Sequence, residues 1–141
     1  MPDDYTLEYP FDARPEALRG MRRALCDALE GAGVGEAQKE RIILAVNEAC
    51  MNVIQHAYGG SGAGPVELRL RALGGRLEFE LEDRGIPVEG CCIQPRELDD
   101  LRPGGLGVFF IRAIMDEVAY GRTADGRGNL LRMSIALHEE G

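Results

Sequence analysis

Residues 40–58, ERIILAVNEACMNVIQHAY, carry the strongest helical periodicity in the chain. Ile42, Val46, Ala49, Val53 and Ala57 recur at the steps of an amphipathic helix, and Ile43, Cys50 and Ile54 widen the stripe. Such a face has to be packed. A polar strip runs beside it from Arg41 through Ala45, Glu48 and Asn52 to Gln55 or His56. Glu48 and Asn52 stand one turn apart, roughly 6 Å along the axis. A carboxylate and an amide at that separation can address one small polar ligand, for example a hydrated metal ion and a hydroxyl. The same pair also fits an ordinary solvated helix face.

Moving towards the N-terminus, Gly31, Gly33 and Gly35 separate this helix from an earlier one. GAGVG has the composition of a nucleotide loop, but it joins two helices instead of following a strand, so it reads as a connector. The earlier helix opens at Pro15 and Glu16 and runs to about Glu30, with Leu18, Met21, Leu25 and Leu29 on one face. Arg14, Arg19, Arg22 and Arg23 lie elsewhere on it, a basic surface suited to solvation or to docking. Before it, Tyr5, Leu7, Tyr9 and Phe11 alternate with polar residues as in a half-buried strand, which Pro10 ends or confines to a sheet edge.

Towards the C-terminus, residues 59–65 (GGSGAGP) are turn or loop material. Val66, Leu68 and Leu70 then alternate with Glu67, Arg69 and Arg71. After Gly74 and Gly75, Leu77, Phe79 and Leu81 alternate with Glu78, Glu80 and Glu82. This is a β-hairpin whose apolar side covers the helices and whose outer side sets Arg against Glu, worth about 0.2–1 kcal/mol per pair. The second strand runs into Asp83-Arg84-Gly85, a way to present one carboxylate acceptor to a flat ligand while the backbone comes close; turns use the same residues. Residues 88–102 show no clear period. Pro103-Gly104-Gly105-Leu106-Gly107 then leads into the apolar helical run 108–115, and a glycine-rich loop at a helix N-terminus is a ready phosphate site. It has neither the Gly-Lys-Ser/Thr ending of a Walker A loop nor the Rossmann G-x-G-x-x-G. Val118 and Tyr120 suggest a strand, residues 124–126 a turn, and residues 130–137 a closing strand. The pattern predicts an α+β fold, a two-layer sandwich with a helical layer on a mostly antiparallel sheet.

With 141 residues the chain fits a single domain, 1–141, and its 45% hydrophobic and 28% charged content is that of a globular protein. No apolar run reaches the ~18 residues of a membrane span, and the N-terminus lacks the pattern of a secretory signal, so a cytoplasmic protein is expected. A net charge of −8 disfavours direct nucleic-acid binding. Cys26, Cys50, Cys91 and Cys92 suit neither a disulfide framework nor a zinc site. Cys26 and Cys50 fall on apolar helix faces as small hydrophobes, while Cys91 and Cys92 fall in a loop.

Taken in order, Glu48-Ala-Cys-Met-Asn52, Asp83-Arg-Gly85, and Gly104-Gly-Leu-Gly107 followed by a helix resemble the N, G1 and G2 boxes of the GHKL ATPase superfamily, whose nucleotide-binding domain is the Bergerat fold. NEACMNVIQHAYGG, LEDRGIPV, RPGGLGVFFIRAIMDEVAY and GRGNLLRMSI are similar to segments of its small stand-alone serine kinases, the anti-sigma factors of partner-switching systems. The resemblance runs from the first strand to Leu137. It implies ATP and Mg²⁺ as cofactors, with Asn52 on the metal that bridges the phosphates. Glu48 would be the general base for a serine hydroxyl. Asp83 would accept a hydrogen bond from the adenine amino group, and Gly85 would give the ring room. Gly104, Gly105, Leu106 and Gly107 would belong to a lid over the phosphates. The implied partners are an anti-sigma-factor antagonist, phosphorylated on Ser or Thr, and an RNA polymerase sigma factor, with Arg19 in the contact surface and a second copy of the chain as a further partner. Two departures stand out. Met51 lies where close relatives often carry Thr, and the G1 stretch continues as Ile86-Pro87-Val88 with fewer glycines. A non-catalytic, ATP-responsive switch of the same fold is the alternative. The ATP-binding part of a sensor histidine kinase is disfavoured, because both histidines, His56 and His138, follow Glu48.

Overall fold

The computed structural model describes residues 6–57, 64–85 and 111–137. Its described strands are β1 (Leu7–Asp12), β2 (Pro65–Leu73), β3 (Arg76–Asp83), β4 (Glu117–Arg122) and β5 (Asn129–Ala136). They form one antiparallel sheet in the order β1-β2-β3-β5-β4. Helix α1 (Leu18–Gly31) and helix α2 (Glu36–Asn52) pack their apolar faces into one core with the sheet. Residues 111–114 are helical and lead towards β4. The architecture is the expected α+β sandwich.

The β2–β3 hairpin follows its period of two. Val66, Leu68, Leu70, Leu77, Phe79 and Leu81 are buried, while Arg69 stands opposite Glu80 and Arg71 opposite Glu78 on the other face. Gly74 and Gly75, at φ +53° and +83°, supply the two left-handed positions that a tight hairpin turn needs. Pro10 does not end β1. The strand continues to Asp12, with Pro10 opposite Glu67, because β1 lies at the sheet edge, where a missing N–H costs no ladder bond.

Helix α1 begins with a 3-10 turn at Pro15–Ala17 and buries Leu18, Met21, Leu25 and Leu29, the face its periodicity marks. Gly33, at φ +82°, ends it: the Val34 N–H reaches the Leu29 carbonyl and the Gly33 N–H the Glu30 carbonyl, both 3.1 Å. Lys39 then ties the two helices together, with Nζ 2.6 Å from Glu30 and 3.1 Å from Glu36.

The polar strip expected along α2 is interrupted. Ala45 is fully buried with Ile42, Val46 and Ala49, so its small side chain belongs to the core, and Arg41 is exposed. The α-helix also stops at Asn52 and opens into a π-helix over Val53–Ala57 instead of running on to residue 58. Of the helix cysteines, Cys50 is a core residue whose burial pushes its thiol up to about 12. Cys26 is only half-buried, its Sγ 3.6 Å from a Glu30 carboxylate oxygen, so it lies at the margin of the apolar face. Among the described residues, no helix is long and apolar enough to cross a membrane.

Candidate functional site

Strand β3 points Leu77, Phe79 and Leu81 into the core, and parity makes Asp83 the next inward side chain. It is 2% exposed, at the end of an apolar row. Its direct cross-strand neighbour is Asn129 on β5, itself 6% exposed. Asn129 Nδ2 donates to Asp83 Oδ1 at 2.9 Å, and the Gly85 backbone N–H donates to the same oxygen at 2.9 Å. Burial pushes the Asp83 carboxyl above the ordinary carboxylate range, while these two hydrogen bonds act in the opposite direction. The result is a water-excluded acceptor fixed from two sides.

Across from it, α2 ends in Asn52. That side chain is 5% exposed, and neither Oδ1 nor Nδ2 has a hydrogen-bond partner among the described residues. A buried amide left unpaired costs about 1–3 kcal/mol, so its presence asks for a ligand. The helix widens into its π-segment immediately after Asn52, and such segments recur at functional sites. Asn52, Ala49 and Val53 from α2 and its extension line one pocket with Asp83, Asn129, Tyr120 and Leu131. The free space between them is about 20 Å³, a water-sized notch and not a nucleotide-sized cleft.

The structure thus brings Asn52 and Asp83 into one pocket, with Gly85 bonded to Asp83. Glu48, one turn before Asn52, is half-buried and does not line that pocket. Arg19 is exposed on α1, in a shallow hollow with Glu16, Gly20 and Arg23. Gly104, Gly105, Leu106 and Gly107 lie outside the described residues, as do Cys91, Cys92 and His138. Asn129 is the site residue that sequence reading misses. It lies in the segment GRGNLLRMSI without a role assigned there, and what marks it is the register that sets it opposite Asp83, which exists only once β5 is known to lie beside β3.

The sequence matches the family of histidine kinase-like ATPase domains over residues 11–135. It is 32% identical to the serine-protein kinase RsbW of Bacillus velezensis over 123 residues, covering 82% of this chain and 76% of that protein. Among solved structures, it is similar to the RsbU and RsbW domains of Rv1364c from Mycobacterium tuberculosis, with a TM-score of 0.63 and 19% identity over 96% of this chain and 34% of that one. It is also similar to the SiaB-SiaC complex from Pseudomonas aeruginosa, with a TM-score of 0.64 and 17% identity over 93% of this chain and 91% of that one. At these identities the likeness to the two structures is one of fold. With the family's pattern running from β1 into β5, and with a serine-protein kinase aligned to most of its length, the chain belongs to the histidine kinase-like ATPase domain family.

Proposed function

We propose that this chain is an ATP-dependent protein serine/threonine kinase that acts as an anti-sigma factor in a cytoplasmic partner-switching system, working as a single domain over residues 1–141. One observation carries the reading: a buried, unpartnered Asn52 amide shares a pocket with a buried Asp83 carboxylate.

Asp83, oriented by Asn129 and the Gly85 N–H, accepts a hydrogen bond from the amino group of adenine, and Gly85 lets the ring approach the backbone. Asn52 Oδ1 is an oxygen donor of the kind that a hard cation takes, and Mg²⁺ typically uses few protein ligands beside water and phosphate oxygens. Among the described residues there is no cluster of three or more His, Cys, Asp or Glu that would hold a metal without the nucleotide. The set therefore fits Mg²⁺ arriving with ATP, which supplies neutralisation of the charge that develops on the phosphates. Glu48, one turn before Asn52, takes the proton from the substrate serine hydroxyl. The serine oxygen bonds to the γ-phosphorus, the bond from that phosphorus to the β–γ bridging oxygen breaks, and ADP leaves. The family resemblance assigns the glycine-rich residues 104–107, which lie outside the described residues, to the phosphates. The phosphoacceptor is an anti-sigma-factor antagonist, and the second partner is an RNA polymerase sigma factor. Arg19 on the exposed side of α1 contributes to docking, and a second copy of the chain completes a dimer.

The non-catalytic switch stays in play for one reason, that Glu48 does not line the pocket shared by Asn52 and Asp83. Incubation with Mg-ATP and the antagonist separates the two readings. A kinase yields phosphoserine or phosphothreonine on the antagonist, and Glu48→Ala abolishes that product while ATP still binds. Intact ATP binding by the unaltered chain with no phosphorylated product would leave the switch alone standing.

A further inference from the structure

We propose that the β4–β5 turn is a positioning device for Asp83, with Gly128 and Thr123 as its working residues. The inference rests on reading Asp83 as the acceptor for the base.

Gly128 is buried, and its conformation is not one that favours glycine. What excludes a side chain there is contact. A Cβ on Gly128 would overlap the carbonyl oxygen of Asp83 and press within 3.2 Å of Arg84 Cδ. The two backbones therefore meet directly, one residue before Asn129 and at Asp83 itself. Thr123 holds Gly128 from both sides: the Gly128 N–H donates to Thr123 Oγ1 at 3.1 Å, and the Thr123 N–H donates to the Gly128 carbonyl at 3.0 Å. The Thr123 hydroxyl donates in turn to Asp125 Oδ1 at 2.5 Å, and the Arg127 N–H reaches the same oxygen at 3.0 Å. Arg84 Nη1 donates to both Asp125 oxygens, at 3.1 and 3.0 Å. Since Arg84 follows Asp83 in the chain, the circuit closes: Asp83, Arg84, Asp125, Thr123, Gly128, and back to Asp83 by backbone contact.

None of Arg84, Thr123, Asp125 and Gly128 lines the pocket. They act through Asp83 and Asn129, whose hydrogen bond spans the two ends of the circuit. Hydrogen bonds are directional, and a site about 1 Å out of place loses much of its effect. Loosening the turn therefore weakens recognition of the 6-amino group before it disturbs the phosphates.

The test compares ATP with ITP, which carries a 6-oxo group in place of the 6-amino group, for the full chain and three altered forms. The unaltered protein prefers ATP, because a carboxylate accepts from an amino group and repels a carbonyl. Gly128→Ala is expected to raise the KM for ATP about tenfold and to shrink the ATP-over-ITP preference, with kcat at saturating ATP within about threefold. Thr123→Val shifts both readouts in the same direction by about threefold, and Thr123→Ser, which keeps the hydroxyl, restores them. If Gly128→Ala does not fold, the Thr123 pair decides. Asp83→Asn is measured alongside. If it leaves ATP affinity and preference untouched, the base-acceptor reading fails and takes this proposal with it. If it abolishes the preference while Gly128→Ala or, failing that, Thr123→Val behaves as the unaltered chain, the positioning role alone is overturned.

Discussion

On the outer face of the sheet Arg69 reaches Glu67, Glu80 and Glu82 at 3.2, 3.0 and 2.9 Å, whereas on the inner side Asn52 faces Asp83 with neither amide atom bonded among the described residues. The outer charges could have been served by water and are paired anyway. The inner amide has been taken out of water and is not. Pairs of the first kind contribute little, typically ~0–1 kcal/mol, because solvent competes for both partners. A buried group of the second kind opposes folding, so a chain that keeps one keeps it for something that binds. The two faces separate what is held for solubility and register from what is held for a ligand.

The largest effect should come from the apolar part of the inner face. Phe79→Ala removes a ring that is 1% exposed in the middle of β3, and a loss of about 3–5 kcal/mol is expected in urea denaturation. A loss below ~1 kcal/mol would mean that this face is not the packed one. Next comes the orphan amide. Asn52→Leu replaces it by an apolar group of similar size, so the variant should be more stable by about 1–3 kcal/mol while binding of Mg-ATP is lost. A destabilised Asn52→Leu would show that the amide has partners in the folded chain, and the contrast between the faces would collapse.

Asp83 sharpens the comparison through pH. Burial raises its folded pKa above the unfolded value of about 4, so over a window above pH ~4 the folded chain keeps a proton that the unfolded chain has released. Its stabilising contribution is full below the unfolded pKa and declines as pH rises through the folded one. Asp83→Asn cannot ionise, and its amide oxygen can still accept from Asn129 and Gly85. Its stability should therefore fall less than that of the unaltered chain as pH is raised from ~4 towards neutrality. Asp125, in the exposed turn, has the opposite sign. The Thr123 hydroxyl, then the Arg127 N–H, hold its carboxyl well below the usual range, and that contribution is lost as pH falls. Measuring the difference between Asp83→Asn and the unaltered chain at each pH cancels the Asp125 slope. A difference that does not change with pH would remove Asp83 from the buried, charge-disfavouring class.

Much of this contrast was readable in the sequence, because both faces are written in local periods. The alternation from Val66 to Glu82 predicts the hairpin, its buried side and the Arg–Glu pairing, and it carries Asp83 inward by parity alone. The buried face of α1 follows its three- and four-residue steps in the same way. What was not legible depends on partners distant in sequence. Asn129 meets Asp83 across 46 positions, through a β5 strand inserted between β3 and β4. Ala45 sits on either a polar or an apolar strip by spacing, and only packing against the sheet assigns it to the core. The change from α to π after Asn52 has no signature in VIQHA, whose apolar steps continue the period of the helix before it.

The smallest effects belong to the outer face, and they test whether its ion pairs differ among themselves. Arg69 is largely covered and serves three carboxylates, while Arg132 is 66% exposed and, among the described residues, pairs with Glu80 at 3.6 Å. Removing Arg69 takes away the cation that Glu67, Glu80 and Glu82 share, leaving Glu80 with Arg132 at 3.6 Å and Glu82 with Arg84 at 3.0 Å. Arg69→Met should therefore cost about 1 kcal/mol in low salt and less in 1 M NaCl, where screening relieves the repulsion and had already weakened the original attraction. Arg132→Ala should cost less than about 0.5 kcal/mol at either salt concentration. If the two variants proved equal, the Arg69 cluster would be no more than three independent surface contacts, and the outer face would hold nothing beyond solvated charge. A salt-dependent gap between them would instead mark Arg69 as the residue that fixes the β2–β3 pairing on which the inward parity of Asp83 depends.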